Sequence, residues 1–134
     1  MKVSPTTIAM LVALVPVGLP AQHQRMEDIG FPGFWAKFKR ALSANDKAQI
    51  ASMTKFPFPY HVYGGNHLSK TEFIRRYDEI FDPVTRRCFS GAKTRPMESS
   101  RPGFVGYEVY CNSSIYTFEK LEGTYRFSEK YPDD

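Results

Sequence analysis

The spacing of apolar residues changes at Phe104, and this change constrains the fold more than any other feature of the sequence. Residues 31–44 repeat apolar side chains at every third or fourth position, which is the period of an amphipathic helix. Residues 104–111 instead alternate the two faces, with Val109 on one side and Glu108 and Tyr110 on the other, as a strand does. The chain is therefore predicted to be an α+β domain in which helices precede an antiparallel sheet.

Three helices are predicted before Phe104. The first has an apolar face made of Phe34, Trp35, Phe38, Ala41 and Leu42. The second begins after Asp46, which has Gln49 at the spacing of a capping box. The third begins after Ser69, ends before Pro83, and has an apolar face made of Phe73, Ile74, Tyr77, Ile80 and Phe81. We expect the aromatic side chains of the first and third helices to meet in the core.

Four strands are predicted around these helices. A brief one covers residues 60–63 and ends at the glycine turn 64–66. The other three form a meander over residues 104–111, 114–119 and 124–127. Between the third helix and the meander, Asp82-Pro83 is expected to stop the helix, and the segment 91–103 has no apolar period, which predicts a loop.

The first 21 residues are predicted to be a secretory signal peptide. Lys2 supplies the positive start, residues 8–17 the apolar stretch, and residues 19–21 resemble a cleavage site. The apolar stretch contains Pro16 and is too short to span a bilayer, so no stable membrane insertion is expected. Residues 22–134 are then expected to form a single domain that is periplasmic or secreted.

Cys88 and Cys111 are predicted to form a disulfide, because an exported chain meets oxidising conditions. Two buried unpaired thiols are the alternative. The residues around and between the cysteines are basic, with five basic residues against the single acid Glu98 over positions 84–103. Such a loop can contact an acidic protein surface or be simply solvated, and an exported protein seldom meets nucleic acid, so no nucleic-acid partner is expected.

Three segments of the chain carry a family resemblance: FWAKFKRALSANDKAQIASMTKFPF, LSKTEFIRRYDEIFDPVTRRC and GYEVYCNSSIYTFEKLEGTYRF. Together they resemble a group of small exported bacterial proteins in the nuclear transport factor 2-like superfamily, which also contains the SnoaL and ketosteroid isomerase groups. The resemblance implies a cystatin-like cone, in which three N-terminal helices pack on a curved antiparallel β-sheet. The cysteine pair is not part of that pattern.

In catalytic members of the superfamily, the cone encloses an apolar pocket where an acid transfers a proton and a tyrosine stabilises the oxyanion. The resemblance therefore makes Glu108, Asp78 and Tyr110 the candidate catalytic residues. The candidate ligand-binding residues are Trp35, Tyr77, Glu108, Tyr110 and Tyr116. The alternative is that neither acid has a catalytic role: Glu108 lies on a solvated sheet face, and Asp78 faces solvent beside Arg75. No acid and hydroxyl pair of the isomerase pattern can be assigned.

Three functions are compatible with these features. The favoured one is a non-catalytic exported domain that binds a small apolar molecule or an envelope protein through the cone mouth or the open sheet face. The first alternative is an enzyme of the SnoaL or ketosteroid isomerase type. The second is an inhibitor or immunity protein for an envelope enzyme. The open sheet face is also compatible with a homodimer. His61 and His67 flank the glycine turn without a metal-binding spacing, so neither a metal nor a cofactor is expected.

Overall fold

The computed structural model describes residues 30–61 and 66–133. The predicted signal peptide, the second half of the strand predicted at 60–63 and Gly64 and Gly65 of the predicted turn lie outside the described residues. Within those two ranges, no helix combines the length and the apolar character needed to cross a membrane.

Five helical segments and six strands follow one another along the described residues. They are α1 (Gly30–Ser43), α2 (Lys47–Ser52), β1 (Phe58–Tyr60), β2 (Asn66–Leu68), α3 (Lys70–Arg75), α4 (Tyr77–Ile80), α5 (Pro83–Gly91), β3 (Arg95–Pro96), β4 (Gly106–Cys111), β5 (Ser114–Leu121) and β6 (Thr124–Pro132). The predicted α+β class is confirmed.

The first two helices are where the sequence places them. The buried side of α1 consists of Phe31, Trp35, Phe38, Ala41 and Leu42, while Phe34 is half-buried. Helix α2 is capped by Asp46, whose carboxylate accepts a hydrogen bond of 3.1 Å from the backbone N–H of Gln49. Satisfying a free N–H in the first turn typically stabilises a helix by about 1 kcal/mol, which explains why α2 begins at this point.

The predicted third helix is interrupted. Ser69 caps α3 by accepting a 3.2 Å hydrogen bond from the N–H of Glu72, as the capping box predicts. The helix then ends at Arg75, with Arg76 as its C-cap, and α4 follows as a separate short segment. Phe73, on α3, and Tyr77, on α4, are nevertheless both fully buried, so the break leaves the predicted apolar face intact.

Helix α5 is an addition to the sequence-based prediction, which assigned no helix between Asp82-Pro83 and the loop over residues 91–103. The helical segment before Asp82-Pro83 ends there, as expected. Asp82 also caps α5, because its carboxylate accepts a 2.8 Å hydrogen bond from the N–H of Thr85. Pro83 occupies the first turn, where its missing N–H costs nothing. The loop begins after Gly91, close to its predicted start, and contains the two-residue strand β3.

The sheet has the strand order β2-β1-β6-β5-β4-β3. Strands β4, β5 and β6 form the predicted antiparallel meander. Strand β1 pairs with β6 in parallel, through Tyr60 and Lys130. The sheet is therefore mixed, whereas the sequence predicted a purely antiparallel one. The strand predicted at 60–63 is corrected, because β1 begins two residues earlier and shares only Tyr60 with it. The short edge strands β2, which begins at Asn66 of the predicted turn, and β3 are additions to the prediction.

The predicted disulfide between Cys88 and Cys111 is present and joins α5 to β4. The two Cα atoms lie 5.9 Å apart. Because 23 positions separate the two residues, the bridge restricts the unfolded chain substantially. It also holds the start of residues 91–103, called here the basic loop, against the sheet.

Candidate functional site

The central strands β4, β5 and β6 have two different faces. The face packed against the helices, called here the helix-covered face, carries Tyr107, Val109, Tyr116, Phe118, Tyr125 and Phe127, all of them buried. The opposite face, called the open face, carries Glu108, Tyr110, Ile115, Thr117, Glu119, Arg126, Glu129 and Tyr131. Successive side chains of a strand point to opposite sides, so the sequence alternation separates the two sets.

Aromatic rings fill the space beneath the helix-covered face. The ring of Phe118 packs against Trp35 and Phe38, with centroids 5.5 and 5.0 Å apart. Tyr116 packs against Phe89 at 4.9 Å. Trp35 is 9% exposed and Tyr77 and Tyr116 are 0% exposed. These three candidate ligand-binding residues therefore lie in the packed core.

The two core tyrosines differ in how their hydroxyl groups are satisfied. Tyr116 donates a 3.3 Å hydrogen bond to the backbone oxygen of Ile80. The hydroxyl of Tyr77 is buried, and no hydrogen-bond partner for it exists among the described residues. Burial raises the pKa of Tyr77 to about 12, although Arg86 opposes the shift. Burial also raises the pKa of Tyr116.

A row of polar residues crosses the open face. The strand register places Thr117 between two acids, opposite Glu108 on β4 and opposite Glu129 on β6. At one end of the row Glu108 forms an ion pair with Arg95. At the other end, Nε2 of His61 lies 2.5 Å from Oε1 of Glu129. Each carboxylate thus has a basic partner on the side away from Thr117.

The hydroxyl at the centre of the row is satisfied internally. Oγ1 of Thr117 lies 2.8 Å from Oγ of Ser128, and both side chains are buried. The contact is made where the pairing of β5 with β6 shifts, because Thr117 pairs with Glu129 while Phe118 pairs with Phe127. The extra residue of this bulge is Ser128, whose hydroxyl can therefore reach its partner.

The basic loop lies along the same face. Nη2 of Arg101 is 2.6 Å from Oε1 of Glu119, and the guanidinium group lies over the ring of Phe104 at 4.7 Å. The backbone N–H of Met97 donates a 2.9 Å hydrogen bond to the oxygen of Gly106. These contacts bring Arg95 and Arg101 next to the acids of β4 and β5.

Two open grooves result on this face. The Thr117 groove has a volume of about 550 Å³ and is lined by His61, Met97, Arg101, Phe104, Thr117, Glu119, Glu129 and Tyr131. The Glu108 groove has a volume of about 510 Å³ and is lined by Lys93, Thr94, Arg95, Glu108, Tyr110, Ile115 and Asp133. Both combine charged groups with an aromatic wall.

The candidate catalytic and ligand-binding residues predicted from the sequence lie in separate regions of the structure. Glu108 and Tyr110 share the Glu108 groove, where Tyr110 is 58% exposed. Asp78 lies on the surface of α4, 3.4 Å from Lys47 and 3.8 Å from Arg86, rather than beside Arg75. Neither Glu108 nor Asp78 therefore lies in an apolar pocket with the core tyrosines.

The sequence did not single out two of the ion pairs on the open face. Glu119 lies two positions from Thr117 and so shares its face, but its partner Arg101 belongs to a segment without any period. His61 was considered only as a metal ligand, and its contact with Glu129 joins segments 68 positions apart. No group of three or more metal-binding side chains occurs within residues 30–61 and 66–133.

Comparison of the chain with protein-family models, curated proteins and solved structures found no match.

Proposed function

We propose that this chain is an exported, non-catalytic domain that binds an acidic surface of a protein partner in the cell envelope through the open face of its sheet. One observation carries the proposal. The basic loop lies along the open face, and its cations are far more exposed than the acids they pair with. An approaching partner therefore meets positive charge first.

The exposures of the four charged groups support this orientation. The side chain of Arg95 is 74% exposed and that of its partner Glu108 is 17% exposed. Arg101 is 62% exposed over Glu119, which is 16% exposed. Lys93, which lines the Glu108 groove with Arg95, is also exposed. A surface of this sign favours encounter with an acidic partner and makes association sensitive to salt.

The contents of the core favour a surface site over an interior one. A small apolar ligand between helices and sheet would need the space that Tyr116, Phe118 and Phe127 occupy, and each of these is 0% exposed. An enzyme of the isomerase type would need Glu108 or Asp78 in an apolar pocket, whereas both acids are in ion pairs. An inhibitor or immunity protein for an envelope enzyme would fit the proposed surface.

The fold and the compartment belong to the same proposal. Helices on one face of a mixed six-stranded sheet are compatible with a nuclear transport factor 2-like cone. The Cys88–Cys111 bridge supports an oxidising compartment, in line with the predicted signal peptide.

Site-specific photo-crosslinking in cells that export the chain tests the proposal. A photoreactive residue at Tyr110 samples the open face, and one at Ala36, which is exposed on α1, is the matched control. We expect a discrete adduct with another protein from position 110 and none from position 36. Adducts with a second copy of this chain only, equal adducts from both positions, or no adduct would overturn the proposal.

The captured protein must then bind in purified form. We expect Arg95→Glu and Arg101→Glu each to weaken its affinity at least tenfold, and we expect affinity to fall as salt is raised. Lys37→Glu, an exposed charge reversal on α1, is the control and should leave the affinity unchanged. Equal losses for Lys37→Glu and Arg95→Glu would mean that net charge, not the open face, governs binding.

A further inference from the structure

Lys130 is a half-buried cation on β6 that has no acidic partner. Its side chain lies on the helix side of the strand, with Nζ 5.1 Å from the ring centroid of Tyr116. Nζ donates a 3.0 Å hydrogen bond to the backbone oxygen of Ile80. Within the described residues, no carboxylate lies at ion-pair distance from this ammonium group. Three N–H donors are present, and the structure uses one of them.

Such a group costs stability. Burial lowers the pKa of Lys130, and Asp82 opposes the shift without reaching an ion pair. The ammonium is not needed to satisfy the oxygen of Ile80, since the hydroxyl of Tyr116 also donates to it. An apolar side chain of similar length would pack at this position without the desolvation cost. The ammonium group therefore has donor capacity left for a ligand.

An open pocket of about 400 Å³ adjoins the lysine. It is lined by Tyr60, His61, Glu79, Ser114, Lys130, Tyr131 and Pro132. The two tyrosines and the proline provide apolar walls, while Lys130 provides the positive charge. Glu79 also lines it and has no ion-pair partner within the described residues. Its carboxylate opposes the binding of any anion, and it opposes a ligand with two negative charges more than a ligand with one.

We infer that this open pocket binds a small organic monocarboxylate, whose carboxylate group accepts hydrogen bonds from the ammonium of Lys130 while its apolar part packs against Tyr60 and Tyr131. The pocket adjoins the partner-binding surface proposed above, because His61 and Tyr131 line both the pocket and the Thr117 groove. The inference rests on Lys130, which lies on the helix side of β6 and is not part of the open face, so it does not depend on the open face binding a protein.

An NMR titration of the exported protein with sodium phenylacetate tests the site. We expect saturable shifts at Ser114 and Tyr131, with a dissociation constant in the millimolar range that is usual for so small a ligand. Phenylacetamide has the same shape without the charge and should bind at least tenfold more weakly. No saturation by about 20 mM phenylacetate, equal binding of the amide, or equally tight binding of inorganic phosphate at these residues would overturn the inference.

Substitution of the lysine identifies its role. Lys130→Met should weaken phenylacetate binding at least tenfold, because a hydrogen bond to a charged group is lost. Lys37→Met on α1 is the matched control and should leave binding unchanged. A melting temperature of Lys130→Met at or above that of the parent shows that the variant is folded. If it unfolds, Lys130→Gln keeps a donor for Ile80 and gives the same comparison. Unchanged binding in the folded variant would reject the site.

Discussion

The two faces of β4, β5 and β6 are made by alternate residues of the same strands, yet they differ in almost every physical property. The helix-covered face is a continuous set of buried aromatic rings. The open face consists of ion pairs, hydroxyl groups and two grooves. One face supplies the hydrophobic free energy of folding, so the other is free to vary with function. Substitutions on the helix-covered face should therefore change stability, and substitutions on the open face should change binding.

The largest expected effect is the loss of a ring from the centre of the helix-covered face. Phe118→Ala should lower the free energy of unfolding by about 3 to 5 kcal/mol, because Phe118 is 0% exposed and packs against α1. Tyr110→Ala, on the open face of the adjacent strand, should change it by less than about 0.5 kcal/mol. Chemical denaturation measures both. Similar losses in the two variants would break the distinction between the faces.

The disulfide is the next largest contribution. Replacing Cys88 and Cys111 together by serine should cost about 3 kcal/mol in the chain-entropy account, since the bridge closes a loop of 23 positions. The loss sharpens the comparison because the bridge ties α5, which covers one face, to β4, a strand that contributes to both faces. Denaturation of the double variant against the parent checks the value. A parent protein that is insensitive to reducing agent would contradict it.

The parts of the fold that follow from local contacts were predictable from the sequence. The caps at Asp46 and Ser69 each join a side chain to a backbone N–H three positions away, so the motif contains the whole interaction. The alternation over residues 104–111 likewise separates Val109 from Tyr110 without knowledge of the neighbouring strands.

Other parts depend on contacts that a single segment does not contain. Helix α5 has only Thr85 and Phe89 as buried residues, too few to show a period, and its Asp82-Pro83 start was interpreted as a stop. The candidate ligand residues were drawn from aromatic side chains, but nothing in the sequence says whether a ring fills the core or lines a pocket. The contact of His61 with Glu129 requires β1 to lie beside β6, which only the strand order decides.

The two core tyrosines should respond in opposite directions to removal of the hydroxyl group. Tyr77→Phe should stabilise the protein by about 1 kcal/mol at neutral pH, because it removes a buried hydroxyl that has no partner within the described residues. Tyr116→Phe should destabilise it by about 1 kcal/mol or less, because it removes the hydrogen bond to Ile80. Thermal denaturation compares the pair. A destabilised Tyr77→Phe would indicate that its hydroxyl is satisfied in solution.

The raised pKa of Tyr77 also predicts how stability changes at alkaline pH. The pKa of Tyr77 is raised in the folded protein to about 12 from 10.0, so the unfolded chain loses this proton first as pH rises. Stability contributed by the protonated phenol is complete below pH 10 and is lost as pH increases through 12. Tyr77→Phe should therefore show a shallower fall in stability over this range than the parent. Identical slopes would contradict the burial of the phenol.

The smallest expected effect on stability is at the acid that the sequence made most interesting. Glu108→Gln removes the ion pair with Arg95, whose side chain is 74% exposed, so the cost should be below about 0.5 kcal/mol. The amide keeps the shape of the side chain but releases the guanidinium group, which leaves the open face more positive by one charge. Affinity for an acidic partner should therefore rise or stay constant, and its salt dependence should increase. A loss of several kcal/mol in stability would place Glu108 in the core instead. A large loss of affinity with stability unchanged would make the carboxylate itself a partner contact, and would move the proposed surface from the outer arginines to the floor of the Glu108 groove.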